Sequence, residues 1–126
     1  MATSSSFMVN SWNGAKTACE SYGGYLASFA DRAEYDAFMD YATANDWFGS
    51  DGFWTSGRKR GNKYKWTAGD LAGDRIDADL WAVGEPTGNA VQICLHGNGG
   101  TGSSSDMGLD NLSCKSKKFG LCQIDA

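Results

Sequence analysis

Glu85 and Thr87 flank Pro86, Gln92 stands two residues before Cys94, and Asp110-Asn111 come shortly before Cys114. Hard cations such as Ca²⁺ take roughly six to eight oxygens from carboxylates, carbonyls, amides and hydroxyls in an adaptable shell. Glu85, Thr87, Asp110 and Asn111 are short oxygen donors of this kind, and the local pattern assigns none of them to a regular element. Pro86 is the only proline. A cis Glu85–Pro86 bond would turn the flanking groups toward one point, and cis peptides occur mostly at X-Pro sites. A bridge between Cys94 and Cys114 would hold Asp110 and Asn111 opposite them. The chemistry on offer is cation binding.

Other chemistries find less material. There is one histidine, so a His-containing zinc site and a Ser–His or Cys–His pair both lack parts, and no enzyme is expected. His96 reads as a surface or strand-end residue. Arg58-Lys59-Arg60-Gly61-Asn62 reads as a solvated hairpin tip rather than an anionic-ligand patch. Asn111-Leu112-Ser113 is a glycosylation sequon. A glycan on Asn111 and a cation at Asn111 exclude each other. The polar segment from His96 to Asp106 reads as a rim or an insertion too polar to pack.

At 126 residues, the chain has the size of one domain, residues 1–126, burying about two-thirds of its unfolded surface. A 13% aromatic content with a net charge of −4 excludes intrinsic disorder. A pI near 4.7 disfavours nucleic acid. No run approaches the roughly 20 apolar residues of a membrane span. The first residues carry neither a basic n-region nor an apolar h-region, so no signal peptide is read there. Cys19, Cys94, Cys114 and Cys122 form an even set with no CxxC pair. Disulfides in an oxidising compartment are expected, and hence a secreted chain. Four cysteines allow three pairings, of which the nested one, Cys19–Cys122 around Cys94–Cys114, would tie the first helix to the last strand.

The positioning elements follow from periodicity. Phe7-Met8-Val9 predicts a short strand, then Trp12, Ala15, Cys19 and Tyr22 share one helical face behind an Asn10 or Ser11 cap. Gly23-Gly24 stops that helix. Tyr25-Leu26-Ala27 is a brief extended piece. Asp31 with Glu34 resembles a capping box opening a second helix, with Tyr35, Phe38, Met39 and Ala42 inward. Phe53-Trp54-Thr55, Tyr64-Lys65-Trp66, Val91 to Leu95, Met107-Gly108-Leu109 and Phe119 to Cys122 read as strands. Thr67 to Asn89 is a long irregular segment that Trp81 anchors. Helices followed by strands and long loops make an α+β fold.

In this order these residues resemble the C-type lectin-like domain. The resemblance runs through Trp12, Cys19, Gly23 to Ser28, Glu34, Phe53 to Gly57, Trp66 to Gly69, Leu80-Trp81, Gly84-Glu85-Pro86, Cys94, Leu109-Asp110-Asn111, Cys114 and Phe119 to Cys122. It implies a closed-loop fold in its short form, two helices packed on small antiparallel sheets, a long ligand-binding loop and the nested disulfide pairing. In sugar-binding members, a Glu-Pro-Asn or Gln-Pro-Asp triplet and a Trp-Asn-Asp triplet hold one Ca²⁺, and two vicinal sugar hydroxyls complete the shell. Carried over, Glu85, Thr87, Asp110 and Asn111 would hold the ion. Glu85, Thr87, Gln92, Asp110 and Asn111 would meet the sugar.

The chain departs from the pattern at Thr87, at Asn111 for the usual Asp, and at Gln92 for the usual Glu. Two formal charges remain, Glu85 and Asp110, which lowers the expected calcium affinity. Small invertebrate calcium-dependent lectins with similarly altered triplets still bind galactose-type sugars. The resemblance therefore implies a secreted, non-enzymatic lectin for a galactose- or mannose-type hexose, active as a homo-oligomer, most simply a dimer. Its alternative is a calcium-independent protein-interaction module on the same fold. The resemblance also raises an accessory calcium site at Asp74, Asp77 and Asp79, against a solvated acidic loop.

Overall fold

A computed structural model describes residues 2–44, 52–82, 93–98 and 108–124. The sheet runs β1 (Ala2–Asn10), β7 (Lys118–Ile124), β3 (Phe53–Arg60), β5 (Cys94–Asn98) and β6 (Gly108–Leu112). β2 (Tyr25–Leu26) also pairs with β7, and β4 (Lys63–Trp66) with β3. β1 lies antiparallel to β7 from Ala2↔Ile124 to Asn10↔Lys118, which brings the two chain ends side by side. β3 and β7 are parallel neighbours. The rest of the sheet is antiparallel.

Helix α1 (Trp12–Ser21) starts where the Ser11 hydroxyl accepts from the Gly14 amide. Its buried face is Trp12, Ala15 and Cys19. Tyr22, expected on that face, instead follows the last helical turn and is 72% exposed. The chain turns away there because Gly23 adopts φ +81° and its amide, with that of Gly24, satisfies the last helical carbonyls. Helix α2 (Arg32–Ala44) is capped by Asp31, which accepts from the Glu34 amide at 2.9 Å. The Glu34 carboxylate reaches back one residue further than a standard box, to the Ala30 amide. Tyr35 and Met39 are buried and Phe38 packs beside them; Ala42's side chain lies outside the described residues.

Two clusters make the core. Ala27, Phe29, Tyr35, Met39, Phe53, Trp66, Leu80, Leu95, Leu109 and Leu121 fill the space under α2 and the long loop. Trp12, Ala15, Cys19, Leu26, Trp54, Cys94 and Cys122 fill the space under α1. The Cys19–Cys122 bridge crosses that second cluster, and Cys94–Cys114 clips β5 to the segment after β6. The cysteines are therefore nested, one of the three pairings their number allowed.

Several strand limits differ from expectation. β1 spans nine residues rather than three, because pairing with β7 supplies the order that its serine-rich sequence does not. Arg58-Lys59-Arg60 belongs to β3, and only Gly61-Asn62 form the turn, with Gly61 at φ +65°. β6 extends through Asp110 and Asn111, two residues expected outside any regular element. They are strand because β5 pairs with them residue for residue.

Candidate functional site

The site is built on β5 and β6, with β3 beside β5 in the sheet and Tyr64 of β4 in contact with Asn111. Leu95 lies opposite Asn111 and His96 opposite Asp110. Side chains alternate along a strand, so the two candidate ligands project to opposite faces of β6. Asp110 turns to His96, with Oδ2 3.3 Å from Nε2, and keeps 28% of its side chain exposed. An ionised carboxylate only accepts, so with Asp110 ionised Nε2 is the donor of this contact.

His96 is neither the surface nor the strand-end residue its sequence context implies: it sits in the middle of β5. It is 7% exposed, lies against Trp54 with ring centroids 6.3 Å apart, and leaves no room above it. A Cβ on Gly52 would come within 2.6 Å of His96 Nδ1 and of the Gly97 carbonyl oxygen. Nδ1 is buried with no hydrogen-bond partner among the described residues. His96 and Gly97 are both buried, so the polar segment from His96 to Asp106 begins inside the sheet. The spacing from the inner cysteines was the available signal: His96 is two residues past Cys94, and Asp110 four before Cys114.

Asn111 is 2% exposed and donates from Nδ2 to the Tyr64 hydroxyl at 3.2 Å. Tyr64 meets Trp81 edge to face at 5.2 Å, and sequence reasoning had not connected it to the site. Trp81 is half-buried and packs against the core as the loop anchor expected of it, and its neighbour Leu80, fully buried, anchors the loop with it. The Ala82 amide donates to the Leu109 carbonyl at 2.9 Å, which lays the loop's return alongside β6. Gly108 permits this approach: a Cβ there would lie 2.6 Å from the Ala82 nitrogen.

Glu85, Thr87 and Gln92, with Pro86, lie outside the described residues. Of the candidate ligands that are described, Asp110 offers a part-exposed carboxylate that suits a hard cation, whereas the Asn111 amide is turned to Tyr64 on the other face. Among the described residues, no three His, Cys, Asp or Glu side chains group as metal ligands. Asp74, Asp77 and Asp79 thus do not form the accessory cluster raised above. The Asp77 carboxylate instead accepts from the Asp79 amide at the start of a short 3-10 turn, Ala78–Leu80.

The family model for the lectin C-type domain matches residues 9–124. No curated protein sequence matches the chain. Solved structures share its fold. The C-type lectin domain of murine dendritic cell inhibitory receptor 2, in complex with N-glycan, superposes with TM-score 0.77 at 22% identity, covering 98% of this chain and 90% of that one. A C-type lectin from the tunicate Polyandrocarpa misakiensis gives 0.73 at 19%, covering 98% of each. A calcium-independent type II antifreeze protein gives 0.67 at 21%, covering 95% and 82%. With two helices on a mixed sheet, two nested disulfides and a family model spanning nearly its whole length, the chain belongs to the C-type lectin domain family, whose members are binding domains and not enzymes.

Proposed function

We propose that this domain binds a carbohydrate through one Ca²⁺ held by Glu85, Thr87, Asp110 and Asn111, with Gln92 beside it for a sugar hydroxyl. The observation that supports this reading best is the partly exposed Asp110 carboxylate on β6, beside the Cys94–Cys114 clip. A bound Ca²⁺ would supply open coordination positions for two vicinal hydroxyls of a galactose- or mannose-type hexose. The protein's own part is to aim oxygens at those hydroxyls. A structure of a related fold that holds N-glycan is in keeping with this ligand class.

Each hydroxyl exchanged for water nets about 1 kcal/mol, so a single site binds a monosaccharide weakly. Avidity then comes from several sites on one particle, which favours a homodimer. Two disulfides suit a secreted protein. No described helix is long and apolar enough to cross a membrane.

A melting curve with calcium and then EDTA, together with a sugar-competition panel on immobilised protein, tests the reading. Calcium should raise the melting temperature and permit retention on galactose or mannose resin, and EDTA should reverse both. Glu85→Ala should abolish both effects, and Thr87→Asn should strengthen mannose binding. If calcium changes neither stability nor retention, the calcium-dependent reading fails.

A second reading is calcium-independent recognition of a protein on the same fold. Asp110 already has His96 and Asn111 already has Tyr64 as protein partners, so both side chains are accommodated without a metal. A calcium-independent antifreeze protein of this fold is in keeping with it. Under this reading, EDTA leaves ligand capture unchanged.

A further inference from the structure

We infer that the ribbon formed by β3, β4 and the following bridge is a docking surface for a sulfated polysaccharide, and that it acts without calcium. The inference does not rest on the calcium-site proposal. Arg58 pairs with Lys65 and Arg60 with Lys63 across the hairpin, and Lys65 bridges in turn to Arg75. Directly opposed residues share a face. Arg58, Arg60, Lys63, Lys65 and Arg75 therefore line one face of the two-stranded ribbon and its flanking bridge, while Lys59, opposite Tyr64, lies on the other. Arg60, Lys63 and Arg75 are exposed.

Folding does not account for this arrangement. Like charges directly opposite one another destabilise a strand pair, and here three such pairs follow in succession. Among the described residues the ion pairs are Lys16–Glu20, Arg32–Asp36 and His96–Asp110, so none neutralises the ribbon. Arg58 is braced over the Trp12 ring, its guanidinium carbon 5.0 Å from the ring centre. In a chain with a net charge of −4 and 11 Lys and Arg in all, concentrating these cations on one hairpin calls for an anionic partner.

The shape at the ribbon's open edge narrows the class. A depression of about 210 Å³ is lined by Asn62, Lys63, Tyr64, Arg75, Ile76 and Trp81. Tyr64 and Trp81, edge to face, belong to the face opposite the cations and give the depression an apolar wall, and Lys63 and Arg75 meet them along the edge. A pyranose ring offers C–H groups to aromatic faces, and its sulfate esters accept from Lys and Arg. Sulfates repeated along a polysaccharide match cations repeated along a ribbon. A membrane partner would favour apolar side chains at the rim, but the exposed large apolar side chain among the described residues is Tyr22, at the end of α1. Two disulfides suit an extracellular setting, where sulfated glycans rather than nucleic acids are the common polyanions.

The test is binding of the whole chain to immobilised heparin in EDTA, at low ionic strength and at 0.15 M salt, which shortens the screening length to about 8 Å. Binding should persist in EDTA, weaken with salt, and yield to dextran sulfate but not to neutral dextran. Arg60→Ser/Lys63→Ser/Arg75→Ser should weaken it at least tenfold while leaving the melting temperature no lower. Lys16→Ser, which removes a cation from α1, should change it less than twofold. Absence of binding by the unsubstituted chain, or equal binding by the triple variant, would overturn the inference. So would preferential capture by phosphatidylserine vesicles or by duplex DNA. Glu85→Ala should bind heparin normally, which keeps failure here distinct from failure of the calcium site.

Discussion

Asn111 donates from Nδ2 to the Tyr64 hydroxyl inside the sheet, and in the proposed calcium site its amide oxygen would have to turn to the ion. Tyr64→Phe removes the acceptor while keeping the ring against Trp81. Removing one such hydrogen bond costs about 0.5–1.5 kcal/mol net, so urea denaturation should show a loss in that range with an unchanged m-value. Unchanged stability would mean that this contact is energetically idle. Asp110→Asn makes the complementary case. The new side chain keeps its size but loses the charge, so calcium stabilisation should fall. If the proposed site holds, calcium at about 100 times Kd would stabilise the unsubstituted chain by about 2.7 kcal/mol. A melting shift in calcium that survived Asp110→Asn would remove Asp110 from the ligand set.

At the scale of elements, helices were easier to read than strands. Trp12, Ala15 and Cys19 recur at helical spacing and are the residues α1 buries, because a helix makes its own hydrogen bonds and leaves only its face to be chosen. A strand borrows its order from a neighbour, so β1 and β6 owe their lengths to β7 and β5. That is why Asp110 and Asn111, poor strand formers alone, were expected in a loop. His96 was misplaced for the same reason: its burial follows from lying opposite Asp110 and against Trp54, and neither contact is local in sequence. The clearest element-scale prediction concerns Gly108, where the long loop returns against β6. Gly108→Ala would drive a methyl group against the backbone of Leu80 and Ala82, 2.6–2.9 Å away. Overpacking of this kind costs about 1–3 kcal/mol. Hydrogen exchange should show the Ala82 amide losing protection ahead of α1. Uniform loss of protection would mean the loop and sheet unfold as one unit.

For the molecule as a whole, the two disulfides divide the labour between global order and the site. Cys19–Cys122 closes a sequence separation of 103 residues, and Cys94–Cys114 one of 20. Loop-closure entropy gives about 4.7 kcal/mol for the first and about 3.3 kcal/mol for the second. The outer bridge joins α1 to β7, where β1 and β2 also pair, so its loss loosens the seam that brings the chain ends together. The inner bridge instead fixes the β5–β6 pair that carries His96, Asp110 and Asn111. Cys19→Ala/Cys122→Ala should therefore lower denaturant stability more than Cys94→Ala/Cys114→Ala. The inner pair's removal should weaken calcium and sugar binding more, measured below the unfolding transition where both variants are folded. Heparin binding should follow neither bridge closely, since the hairpin pairs Arg58 to Arg60 with Lys63 to Lys65 within one short turn of chain. If the inner variant keeps full calcium affinity while the outer variant loses it, the site depends on the global seam rather than on its own clip. The division of labour would then be the reverse of the one argued from the register.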